Sequence, residues 1–260
     1  MHATRWAFPA TRQQSSMTHI KGFLWRGALA GLVAGVFGAI FQWTVTESQI
    51  RKALAGEAAA AGHSHDEMFS RTTQLLGGMF GNVIYGVLMG LIFAIVLAKL
   101  ALVLTGSAWF NRTIRLSVAA FVVLVLVPAL KYPPNPPSVG NPDTIGQRTS
   151  SYLALMVVSV VLAYLALQLW KRLTSRGVLP GIRFAVVAGA YLSAITLTLL
   201  LFPASPDPID APANLIWHFR LDSLAGNAII WLTIGTVTGI LADRGAPATT
   251  PVADKMSAVA

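Results

Sequence analysis

The chain has 260 residues, of which 55% are hydrophobic and 11% charged, with a formal charge of +9 and no cysteine. Soluble domains hold about 45–50% apolar residues, so the surplus points to lipid as the solvent. Without cysteine there are no disulfides and no thiolate metal sites, and the basic excess lies beside apolar runs, which argues for membrane topology and against nucleic acid as a partner.

Six stretches free of Asp, Glu, Lys and Arg follow one another: Gly27 to Thr46, Thr72 to Ala98, Leu116 to Leu130, Thr149 to Trp170, Phe184 to Pro206 and Ser223 to Ala242. A spanning helix takes ~20 mostly apolar residues. The third run is short and spans when Ile114 and Arg115 lie at its border. The basic residues ahead of the first run resemble a signal peptide, but the run exceeds the ~7–15 apolar residues of a cleaved signal, so an uncleaved first helix is expected. The predicted architecture is all-α: a six-helix transmembrane domain over 23–244, with spans at about 25–46, 73–98, 113–130, 149–170, 184–203 and 222–242. Residues 1–22 read as a cytoplasmic tail and 245–260 as a disordered one.

Charge alternates between the runs. The N-terminus and the segments after runs two, four and six hold 13 of the 19 basic residues and two acids, whereas the other three segments hold six basic residues and eight acids. Lys and Arg stay cytoplasmic, so both termini are expected inside and three loops outside.

Close approach at small residues drives helix association in lipid. Gly27, Gly31 and Gly35 stripe the first span, Gly77, Gly81, Gly86 and Gly90 the second, and Gly235 and Gly239 the sixth, so these three helices are expected to meet. Gly81-Asn82-Val83-Ile84 is echoed by Gly226-Asn227-Ala228-Ile229.

No ionisable residue lies at mid-depth in any run, so the usual sign of a proton relay is missing. Asn82, Tyr85 and Met89 share one face of the second helix and, with Asn227, could line a cation path or simply bond between helices. Ser193, Thr196, Thr233 and Thr236 are further buried polar candidates. The first outer loop holds His63, His65, Asp66 and Glu67, imidazoles and carboxylates that suit cobalt, nickel or zinc. His218 adds a third imidazole just ahead of the sixth span. Arg71, Arg148 and Arg220 precede hydroxyl-bearing residues that, with Asp222, could cap helices, and the arginines are expected to anchor to headgroups or pair with Asp66, Glu67, Asp143 or Asp222. The second outer loop, Lys131 to Thr149, is rich in proline and reads as a stiff strap.

The strap, the His-x-His ahead of the second helix, and the stretch Trp217-His218-Phe219-Arg220 through Ser223-Leu224 and Asn227 to Trp231 resemble CbtA, a family of proposed cobalt transporter proteins. The likeness runs from Trp25 to Ala242. It implies a multi-pass inner (plasma) membrane protein that imports cobalt(II) for cobalamin synthesis, beside a small single-helix, histidine-bearing partner; an oligomer is compatible with it. It also implies His63, His65 and His218 as candidate ligands, and five spans where the runs here number six.

The chain has no P-loop, His-Glu-x-x-His or Gly-x-Ser-x-Gly, so neither an ATPase nor a hydrolase is expected, and no tightly bound cofactor. Inward movement of a dication gains ~4.6 kcal/mol per 100 mV of membrane potential. The competing expectation is a non-conducting scaffold that docks a partner.

Overall fold

The computed structural model describes residues 10–61, 69–100, 108–137, 139–205 and 211–245, and the side chains within them apart from 10–20 and 59–61. His63, His65, Asp66 and Glu67, and the tail beyond Gly245, lie outside the described residues.

Among these residues the chain is helical without strands, and six helices are long and apolar enough to cross a membrane. Helix α1 joins Ala10–Phe41, a π-helical turn Gln42–Thr46 and Glu47–Ala61; α2 is Arg71–Leu100. Helix α3 joins Trp109–Phe121, a second π-turn Val122–Leu126 and Val127–Lys131. Helix α4 is Ile145–Ser175, entered through the 3-10 turn Pro142–Thr144; α5 is Pro180–Leu201 and α6 is Ala213–Arg244. The short third run is thus completed by its border residues, and the six candidate spans match the six runs and not the five that the resemblance implied.

Two helices outrun the sequence reading. Helix α1 starts inside the segment taken as a tail and continues past its predicted end at Thr46. Helix α6 starts at Ala213, so His218 and Asp222 lie within it and Asp222 is not its N-cap. A run defined by absence of charge stops at Asp222, but Leu215 and Ile216 are buried and keep the helix going. At 1.5 Å per residue its 32 residues span about 48 Å, more than the ~30 Å hydrocarbon layer, so the first turns stand clear of it.

Helix α1 packs on α2 and α6, α6 on α3, and α3 on α4, which carries α5. The α1–α2 seam is built from glycine on both sides. A Cβ on Gly31 would strike the carbonyl of Gly86 and lie 2.9 Å from Val87 Cα, and one on Gly27 would strike the carbonyl of Gly90. Gly77 and Gly81 have open space instead. The glycines of α6 serve another partner: a Cβ on Gly235 would lie 2.7 Å from Ser117 Cβ, and one on Gly239 2.8 Å from Phe110 Cα, both on α3. So α1 meets α2 and α6 as expected, while the α6 stripe belongs to α3.

Ala34, Phe93, Leu97, Ile230, Trp231 and Ile234 form the core between α1, α2 and α6. Helices α4 and α5 bury little; Leu200 and Leu201 are each 75% exposed, as lipid-facing residues are in a chain without its bilayer. Ser193 and Thr196 are exposed on α5, and Thr233 and Thr236 are half-buried on α6. The buried hydroxyls are Thr113, Ser117, Ser159 and Thr238.

Candidate functional site

Two cavities open at the end of the bundle where α1 passes to α2, α3 to α4 and α5 to α6. The smaller, about 350 Å³, lies between α1, α2 and α6 and is lined by Gln42, Thr46, Asn82, Tyr85, Asp222 and Asn227, with Pro137 of the strap beside them. The larger, about 880 Å³, lies under the strap between α3, α4 and α6. Ser223 and Asn227 line both.

The walls of the smaller cavity are mainly apolar, with Phe41, Ile50, Phe219 and Ile230 among them, and a few polar groups are set into them. Gln42 and Thr46 bound the π-turn of α1, a local widening of the helix that often marks a functional site. Asn82 Nδ2 donates to Gln42 Oε1 and to the Gly78 carbonyl at 3.3 Å, and Asn227 Nδ2 donates to the Ser223 carbonyl at 2.9 Å. Asn82 thus spends both its N–H groups on the protein and Asn227 one, and among the described residues neither Oδ1 accepts a hydrogen bond. Asp222 adds a carboxylate whose buried Oδ2 has no hydrogen-bond partner and which forms no ion pair among the described residues. The residue as a whole is half-buried, so one carboxylate oxygen is shut off without a partner, and a cation at the carboxylate would offset the cost of that. Gly226 also lines the cavity, and a Cβ there would come 3.3 Å from the Phe41 ring.

The expected path residues divide. Asn82, Tyr85 and Asn227 line one cavity. Met89 does not; it packs against the buried core. His218 is exposed on α6, one turn before Asp222 and on the same face (i, i+4). Among the described residues no three His, Asp or Glu side chains converge as a ready-made metal centre. Sequence reasoning missed Gln42 and gave Asp222 only the role of a helix cap or an arginine's partner. Gln42 is the one carboxamide in the first charge-free run, which was the available signal.

Each of the three arginines has, among the described residues, a partner that the sequence did not suggest, while Asp66 and Glu67 lie outside those residues. Arg71 bonds Glu47, through Nε to Oε1 at 3.1 Å and Nη2 to Oε2 at 2.7 Å. Arg148 Nη2 donates to the Asn141 carbonyl at 3.2 Å, and Arg220 Nη2 to Asn135 Oδ1 at 3.0 Å. Capping differs as well. Ser70 Oγ accepts from Thr73 N–H at 3.3 Å, and Asn141 Oδ1 accepts from Asp143 N–H at 2.9 Å. Arg220 and Asp222, two residues apart on α6, face different cavities, so the basic and acidic groups of this rim are segregated.

A family model described as "Probable cobalt transporter subunit (CbtA)" matches residues 20–243. No curated protein and no solved structure matches the chain.

Proposed function

The chain belongs to the CbtA family, and from that premise we propose that it is the membrane subunit that carries cobalt(II) inward across an inner or plasma membrane, with both termini cytoplasmic. His63, His65, Asp66 and Glu67 of the first outer loop capture the ion, His218 receives it, and Asp222 draws it into the cavity between α1, α2 and α6. Asn82, Tyr85, Gln42 and Asn227 then replace part of its water shell.

The observation that carries this reading is the unpartnered Asp222 carboxylate beside Asn82 and Asn227, whose Oδ1 atoms accept no hydrogen bond among the described residues. Cobalt(II) accepts imidazole nitrogen as well as carboxylate and carbonyl oxygen, so a histidine-to-carboxylate-to-amide sequence suits a stepwise loss of water. Six apolar helices and the family both fit a multi-pass membrane protein, and a transporter subunit implies partners. A small single-helix, histidine-bearing protein would deliver the ion to the first loop. The charge alternation along the chain supports the orientation.

The test is cobalt(II) uptake into liposomes holding the purified chain, with an inside-negative potential. The wild type is expected to admit the ion. Asp222→Asn should lower the initial rate by roughly tenfold, the worth of about 1.4 kcal/mol at the ion. His63→Ala with His65→Ala should raise the half-saturating concentration and leave the maximal rate. Equal rates for wild type and Asp222→Asn remove the cavity from the path. No uptake with or without the single-helix partner leaves the scaffold reading.

A further inference from the structure

We propose that the cavity under the proline strap binds a multivalent oxyanion, carboxylate or phosphate. Three elements each bring one cation to it: Lys131 from the end of α3, Arg148 from the first turn of α4 and Arg220 from α6. None of its described lining residues is acidic. Asp222, the nearest carboxylate along α6, lines the other cavity. Three like charges around one recess of about 880 Å³ repel one another, and a bound anion offsets that repulsion.

The recess is also built to hold its shape. Tyr132 Oη donates to the Pro203 carbonyl at 2.7 Å, which ties the strap to the end of α5. Arg220 and Arg148 hold it at Asn135 and Asn141. Between those ties, Pro133, Pro134, Pro136 and Pro137 restrict the backbone. Arg220 spends Nη2 on Asn135, and its buried Nε has no partner among the described residues. A guanidinium fork matches carboxylate and phosphate geometry. Hydroxyls of Thr149, Ser205 and Ser223 line the same space.

This proposal goes beyond cobalt transport, and its test contains no metal, so either can fail alone. The full chain in phosphatidylcholine nanodiscs is titrated calorimetrically with citrate and with inorganic phosphate; in a third arm, native mass spectrometry follows retention of phosphatidylglycerol. At least one of the three is expected to bind. Binding should fall about tenfold or more in Arg148→Gln and in Lys131→Gln. The Lys131 side chain makes no hydrogen bond among the described residues, so its variant is expected to keep the fold, and a thermal melt verifies this. Binding of citrate or phosphate identifies a soluble ligand; retention of phosphatidylglycerol alone identifies a lipid headgroup. The proposal is overturned if none of the three binds below about 10 mM, or if both variants bind as the wild type does.

Discussion

Ser159 Oγ on α4 donates to the carbonyl of Val123 on α3 at 2.8 Å. That carbonyl is free for a definite reason. Val123 lies in the π-turn, where N–H groups bond five residues back, as Val127 N–H does to the Val122 carbonyl. In that register the donor for Val123 would be residue 128, which is proline and has no N–H. Ser159 supplies the missing donor from the neighbouring helix. Ser159→Ala should therefore cost about 0.6–1.7 kcal/mol in detergent-solubilised protein. In a Pro128→Ala background the same substitution should cost close to nothing, because the backbone then provides the N–H. Thermal unfolding of the four proteins measures this, and an equal cost in both backgrounds would refute the account.

The glycine seam makes a positional prediction. Gly31 and Gly86 meet backbone to backbone, and no side chain can be added at either without parting α1 from α2. Gly31→Val or Gly86→Val should destabilise by at least about 1–3 kcal/mol. Gly77→Ala and Gly81→Ala, with nothing within 4 Å of the added carbon, should stay within about 0.5 kcal/mol of wild type. Melting temperatures across the set decide it; similar losses at all four positions would mean that the seam does not hold the helices together.

Much of this architecture was legible in the residues. Apolar length defines the six helices, because lipid leaves a spanning backbone few alternatives. The spacing of Gly27, Gly31 and Gly35 located the α1–α2 contact, since i, i+4 places them on one face. What could not be read was tertiary. Gly235 and Gly239 have the same spacing, yet they face Thr113 and Ser117, and nothing in a stripe names its partner. Met89 has the right helical phase to join Asn82 and Tyr85, but it sits a further turn along and meets the core around Phe93. Asp222 reads as a helix cap because it precedes an apolar run, whereas the helix begins at Ala213 and buries Leu215 and Ile216 before it. The histidine loop stays an expectation, because His63 and His65 lie outside the described residues.

Glu47, within α1, ties that helix to Arg71, the first residue of α2. Its side chain is almost wholly buried, accepting from Arg51 Nε at 2.9 Å and from Arg71 through both Nε and Nη2. The two arginines are not equivalent. Arg51 lies one turn along the same helix and its side chain is 66% exposed, so water and salt screen it. Arg71 comes from α2, is 31% exposed and binds both carboxylate oxygens, so it links α1 to α2 with fork geometry. Glu47→Ala should cost roughly 1–3 kcal/mol, because it leaves Arg71 without its acceptor. Arg71→Ala should approach that figure, as it strips a buried carboxylate of its main partner, whereas Arg51→Ala should cost under about 1 kcal/mol. The double variant Glu47→Ala with Arg71→Ala should cost clearly less than the sum of the two, since they share one interaction. Chemical unfolding in detergent at low and high salt gives the ranking, and an Arg51→Ala loss equal to that of Arg71→Ala would show that the link between α1 and α2 contributes nothing beyond the local pair.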